Sequence, residues 1–97
     1  MKIIECVPNF SVGNDITIIN VITESIESVT GINILDVDSG ADTNRTVITF
    51  VGHPAAVINA AFLGIKKASE VIDMRFHTGA HPRMGATDVC PLVPISN

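Results

Sequence analysis

Residues 73–88, DMRFHTGAHPRMGATD, hold two of the three histidines of this chain and two of its three arginines, groups that can move a proton or hold an anion. His77 and His81 stand four apart, with Arg75, Arg83 and the glycines Gly79 and Gly85 around them. Histidine titrates closest to neutral pH of all side chains, which makes it the usual proton-transfer group. A polar stretch of this length without a hydrophobic period is uncommon inside a small domain and, where found, is often functional. His-x3-His spacing would suit a metal ion if it lay on a helix. Gly79 and Pro82 oppose a helix, and only Asp88 and Cys90 stand near as further ligands. Residue types alone leave two readings open: loop histidines in solvent, or a proton-transfer site.

Three further positions could carry chemistry. Asp36 and Asp38 alternate with hydrophobes in LDVD. They read either as turn and cap residues or, for Asp38, as a carboxylate that orients a histidine or a substrate amine. Asn44 and Arg45 open the next apolar segment, and the planar fork of an arginine can clamp a carboxylate. Cys90 could be a nucleophile beside a histidine, but its neighbours Val89, Pro91 and Leu92 favour an inert thiol. No G-x-G-x-x-G fingerprint and no P-loop is present, so a standard nucleotide-binding motif is unsupported.

The elements that must position these residues follow from hydrophobic spacing. Segment 2–7 (KIIECV) is a short apolar run closed by Pro8 and reads as a strand. Segment 9–14 (NFSVGN) is turn chemistry, with Asn14 as the expected N-cap and Asp15 in the first turn of a helix. Ile19, Ile22, Ile26 and Val29 then recur at helical spacing, opposite Asn20, Thr23, Glu24 and Glu27, and Gly31 is placed to end the helix. Segment 32–38 reads as a strand, 39–44 as a polar turn, and 45–51 (RTVITFV) as a β-branched strand with Thr46, Ile48 and Phe50 on one side. Pro54 fits the first turn of a second helix running to about Ile72. That helix is apolar over most of its circumference, which predicts burial on more than one side. Segment 89–95 (VCPLVPI) carries two prolines and is therefore an edge strand or an irregular segment.

The order β-α-β-β-α-β predicts an α+β fold of the ferredoxin-like kind. Right-handed crossovers put the first and third strands in the centre and the second and fourth at the edges of a four-stranded, mostly antiparallel sheet. Both helices then cover one face and leave the other open. Length fits a single domain over residues 1–97. A hydrophobic share of 46% with mean hydropathy +0.43 excludes disorder and points to more apolar surface than one small domain hides. A net charge of −4, with no Tyr or Trp, argues against a nucleic-acid partner. No apolar run approaches the roughly 18 residues of a membrane span, and no signal-peptide pattern is present. The expected setting is the cytoplasm, with Cys6 and Cys90 as reduced core residues.

ECVPNFS (residues 5–11), LDVD (35–38), TNRTV (43–47), TFVG (49–52), IDM (72–74) and HPRMGATDVCP (81–91), in that order, resemble the N-terminal part of the glutamate formimidoyltransferase domain, which also occurs in formimidoyltransferase-cyclodeaminase. The resemblance runs along nearly the whole chain. It implies transfer of the formimino group of N-formimino-L-glutamate to tetrahydrofolate as co-substrate, in histidine degradation, without a metal. It also implies a homodimer and a domain of two α/β subdomains with substrate between them. On that pattern this chain stops before the rest of the first subdomain and all of the second, so a missing C-terminal subdomain or partner chain is expected.

The family's catalytic histidine falls on His81, which separates it from His77, a possible substrate contact. A histidine with a pKa of about 6.5 can accept the proton that tetrahydrofolate N5 loses and deliver one to the departing glutamate nitrogen. Asp38 is a reasonable partner for the amidine's positive charge, and Arg45 and Arg83 for the glutamate carboxylates, with Asn44 beside them. Ala80 and Val12 stand where the family commonly has glutamate. Rival expectations are a non-catalytic ferredoxin-like binding or assembly module and a related folate-dependent transferase with another one-carbon donor.

Overall fold

The computed structural model describes residues 2–72, 87–89 and 91–96 of the 97-residue chain. Its elements run β1 (Ile3–Cys6), β2 (Asn9–Phe10), α1 (Ile16–Glu27), β3 (Asn33–Gly40), β4 (Arg45–Gly52), α2 (Pro54–Val71), β5 (Thr87–Val89) and β6 (Leu92–Ser96). The predicted four strands are present as lines, two of them interrupted. β1 and β2 follow one another along the same side of β4, pairing at Cys6 with Phe50 and at Asn9 with Val47. Pro8 separates them. It has no N–H for the ladder, yet its carbonyl still accepts from Ile48 N at 3.1 Å. β6 and β5 likewise follow one another, on β1 and β2 respectively. Asn9 and Phe10, expected in a turn, are thus a two-residue strand. Their side of β4 needed a continuation past Pro8, and that partner is distant in sequence.

The lateral order is β6/β5, β1/β2, β4, β3, every pair antiparallel. This is the expected ferredoxin-like arrangement, with the first and third lines central and the proline-bearing last line at an edge. Pro94 sits there opposite Ile4. β3 is longer than predicted, reaching Gly40, so the turn is confined to residues 41–44.

α1 starts one residue later than expected. Asp15, not Asn14, is the N-cap, and its Oδ1 accepts from Thr17 N at 3.1 Å and Ile18 N at 3.2 Å. Both residue types cap well, so only the backbone path decides between them. The helix ends at Glu27 with Ser28 as C-cap, and Gly31 makes the following turn at φ +90°. Ile19, Ile22 and Ile26 are buried as their spacing predicts.

The core lies between one sheet face and the two helices. Cys6, Phe10, Ile48 and Phe50 meet Ile19, Ile22 and Ile26 of α1 and Val57, Ala60, Ala61 and Ala68 of α2. Gly64 lets the helices approach. A Cβ there would lie 2.9 Å from Ile26 Cγ1 and 3.6 Å from Phe10 Cζ. One expectation is corrected here. Among the described residues α2 is buried on a single side, while Ile58, Phe62 and Ile65 on another are 59%, 62% and 39% exposed. Their side chains lie on the outside of the helix layer, where no described element packs against them.

Candidate functional site

The face of the sheet away from the helices collects the polar residues, and a bulge decides which. In β3 the pairing shifts between Ile34 and Asp36: Ile34 lies opposite Phe50, but Asp36 lies opposite Thr49. Two residues of β3 therefore span one step of β4, and the facing reverses. Ile34 stays with the core. Asp36, opposite Thr49, and Asp38, opposite Val47, turn to the open face. Without the extra residue at Leu35, both carboxylates would share the face of Ile34.

On β4 the same face carries Arg45, Val47, Thr49 and Val51, all half-buried, while Thr46, Ile48 and Phe50 are buried beneath. Asn9 lies opposite Val47, and Glu5 opposite Val51. One row across the sheet thus reads Asp38, Val47, Asn9, with Asp38 and Asn9 about 10 Å apart across β4. Arg45 stands one pleat further along, opposite Gly40. Asn9 Nδ2 donates to Val7 O at 3.2 Å, which fixes the orientation of its amide. Asp36 and Asp38 are exposed. The arrangement offers carboxylates for a cation, a guanidinium for an anion and an oriented amide, all on one pleated surface.

The loop from β2 to α1 closes one end of this surface. Ser11, Val12 and Gly13 are buried. Asn44, expected beside the substrate, is buried too, at a left-handed φ of +50°. Its Oδ1 accepts from Gly13 N at 2.9 Å, and Thr46 Oγ1 donates to Val12 O. Val12 is fully buried in the core cluster, where an unpaired glutamate would be costly. Cys6 is a buried thiol, as expected.

Of the residues singled out in the sequence, Asp38 and Arg45 share the open face, and Asn44 sits beneath its end. His77, His81, Arg83, Ala80 and Cys90 lie outside the described residues. Asn9 and Glu5 were not singled out. Nothing local marks them, because their facing depends on a pairing with β4 some 40 residues on. Among the described residues, no three His, Cys, Asp or Glu side chains come together as a metal site would require. Among the described residues, no helix is long and apolar enough to cross a membrane.

The sequence matches the formiminotransferase domain, N-terminal subdomain, over residues 3–97. It is 55% identical over 96 residues to a formimidoyltransferase-cyclodeaminase of Dictyostelium discoideum, covering 99% of this chain and 18% of that protein. It is 50% identical over 97 residues to a glutamate formimidoyltransferase of Thermoplasma acidophilum, covering 100% of this chain and 32% of the relative. A glutamate formimidoyltransferase of Streptococcus pyogenes serotype M1 is 50% identical over 96 residues, with 99% and 32% covered. The chain spans less than a third of the length of these relatives.

Proposed function

Since the chain belongs to the formiminotransferase domain family, as its N-terminal subdomain, we propose that it supplies the proton-transfer half of an active site that moves a formimino group from N-formimino-L-glutamate to tetrahydrofolate. The observation that carries this reading is the open sheet face. Asp36, Asp38 and Arg45 share it, and the donor substrate has one cationic amidine and two carboxylates to match. Asp38 faces the amidinium, whose charge it balances as the carbon becomes tetrahedral. Arg45 takes one glutamate carboxylate and Arg83 the other, since the planar fork of an arginine pairs with a carboxylate through two hydrogen bonds. His77 contacts substrate.

His81 moves the protons. The lone pair of tetrahydrofolate N5 forms a bond to the formimino carbon, and the imidazole accepts the proton that N5 gives up. The same proton then goes to the glutamate nitrogen as its bond to that carbon breaks. Glutamate leaves, and 5-formiminotetrahydrofolate remains. His81 stands six residues ahead of Thr87, whose strand pairs with β2 beside Asn9. The same reading makes the working enzyme a homodimer in the cytoplasm that holds substrate between this subdomain and a second one.

The test is direct. The chain is mixed with tetrahydrofolate and N-formimino-L-glutamate, alone and with the polypeptide encoded downstream of codon 97, and 5-formiminotetrahydrofolate or its methenyl product is followed by absorbance. Turnover that His81→Ala abolishes supports the reading. No turnover in either mixture overturns it and leaves a binding module.

A further inference from the structure

We propose that Asn44 is a positioning residue, which acts through Gly13 to hold Asp38 and Arg45 in place on the open face. The inference rests on the formimino-transfer reading only for what those two groups do; the latch itself is a matter of geometry. Asn44 is the residue before β4 and takes the left-handed conformation that closes the β3–β4 hairpin, at φ +50°. Asparagine is among the few residues that reach this region at modest cost. Its side chain points inward, is 6% exposed, and its Oδ1 accepts from Gly13 N at 2.9 Å across 31 residues of sequence.

Gly13 is inserted into the hairpin end. A Cβ on it would lie 2.1 Å from Gly40 O, 2.7 Å from Arg45 N and 2.8 Å from Asn44 Cα. Those are the last residue of β3, the first residue of β4 and the turn residue before it, with Gly40 paired to Arg45. Two steps along the same ladder, Asp38 pairs with Val47. A second bond, Thr46 Oγ1 to Val12 O, fastens the same loop to the same strand one residue on. The β2–α1 loop is thus a wedge seated in the open end of the hairpin, with the Asn44 amide as its pin. With the pin removed, the hairpin end can twist, and the first groups to move are Arg45 and Asp38. A conformational looseness of this kind weakens substrate holding before it touches the proton-transfer steps.

Two variants separate the backbone role from the bond. Asn44→Gly keeps the left-handed conformation and deletes the acceptor; Asn44→Asp keeps both. They are made in the protein as encoded, with whatever sequence follows Asn97. Amide exchange of Gly13 and the amide shifts of Asp38 and Arg45 are read by NMR, and KM and kcat for N-formimino-L-glutamate by the transfer assay. Asn44→Gly is expected to speed Gly13 exchange by about tenfold, shift the Asp38 and Arg45 signals, and raise KM by about tenfold with kcat within about threefold of the parent. Asn44→Asp is expected to restore all of these to within about threefold. A merely structural residue would lower the unfolding midpoint and leave KM of the folded protein unchanged. Unchanged Gly13 exchange in Asn44→Gly overturns the latch. Faster exchange with unmoved Asp38 and Arg45 signals overturns the positioning role. A parent protein without transfer activity sinks the preceding reading instead, and the NMR signals still decide this one.

Discussion

Of the described glycines, Gly13 has the least room for a side chain. Its missing side chain is what lets the β2–α1 loop enter the hairpin end, where a Cβ would meet backbone atoms at 2.1–2.8 Å. Backbone cannot rotate away as a side chain would, so Gly13→Ala is expected to cost about 3 kcal/mol in unfolding free energy, read from the urea midpoint at constant slope. A loss below about 0.5 kcal/mol, the range of ordinary surface changes, would show that the loop is not wedged. Asp38 stands at the opposite extreme: exposed, with little packing to lose. Asp38→Asn should leave stability within about 0.5 kcal/mol and lower kcat/KM for formimino transfer by about a hundredfold, since the amidinium of the donor loses its counter-charge. Unaltered kcat/KM would remove Asp38 from the site. These residues differ in how far the sequence reveals them. Asp38 and Arg45 are visible because they break an apolar alternation next to a turn. The task of Asn44 is not visible, because its partner lies 31 residues away and the bond exists only after the sheet has formed. His81 is marked only by the resemblance of its HPRMG motif, and it lies outside the described residues.

At the scale of elements, the decisive contact is the crossing of α1 and α2. Ile22 and Ile26 are fully buried, and Gly64 of α2 lies directly against Ile26 of α1. Alanine for glycine in a helix gains about 1 kcal/mol of propensity. At Gly64 the new methyl would press on Ile26 Cγ1 at 2.9 Å and Cδ1 at 3.0 Å, and overpacking costs about 1–3 kcal/mol. Gly64→Ala should therefore destabilise by about 1 kcal/mol net. Ile26→Ala alone should cost about 3 kcal/mol, largely through the cavity it leaves. In the Ile26→Ala background the Gly64→Ala change should turn stabilising, because the clash is gone and part of the cavity is filled. Additive losses in this double-mutant cycle would refute the close crossing. The helices themselves were readable from the spacing of Ile19, Ile22 and Ile26 and from Pro54, since a stripe at 3.6-residue period has few alternatives. The breaks in the sheet were less readable. That Pro8 would split a strand line without ending it depends on Ile48 donating to its carbonyl. The bulge at Leu35, which sends Asp36 and Asp38 to the open face, depends on register against β4. Pairing between distant segments leaves no local mark.

For the molecule as a whole, the two outer surfaces differ in kind. The open sheet face is a mixture of carboxylates, amides, Arg45 and half-buried β-branched residues, suited to small polar molecules. The outside of the helix layer carries Ile58, Phe62 and Ile65 on α2, at spacings of four and three that put them in one stripe. High apolar content is visible in the composition, and the apolar circumference of α2 predicts burial on more than one side. Within the described residues only one of those sides is covered, so the second stripe contributes nothing to the core. The chain also makes up 17–32% of the length of its relatives. Two variants of the chain distinguish a closed single core from one that draws on the outer stripe. Phe50 is fully buried beneath the helices, and Phe50→Ala should cost about 4 kcal/mol. Phe62 is 62% exposed, and truncating a side chain that already faces solvent removes little buried area, so Phe62→Ser should cost less than about 1 kcal/mol. Both are read from urea unfolding of the 97-residue chain at low protein concentration. Comparable losses at the two phenylalanines would mean that the stripe is already buried in the chain as it exists in solution. A large difference would mean that the sheet face and the inner sides of α1 and α2 hold the fold together unaided.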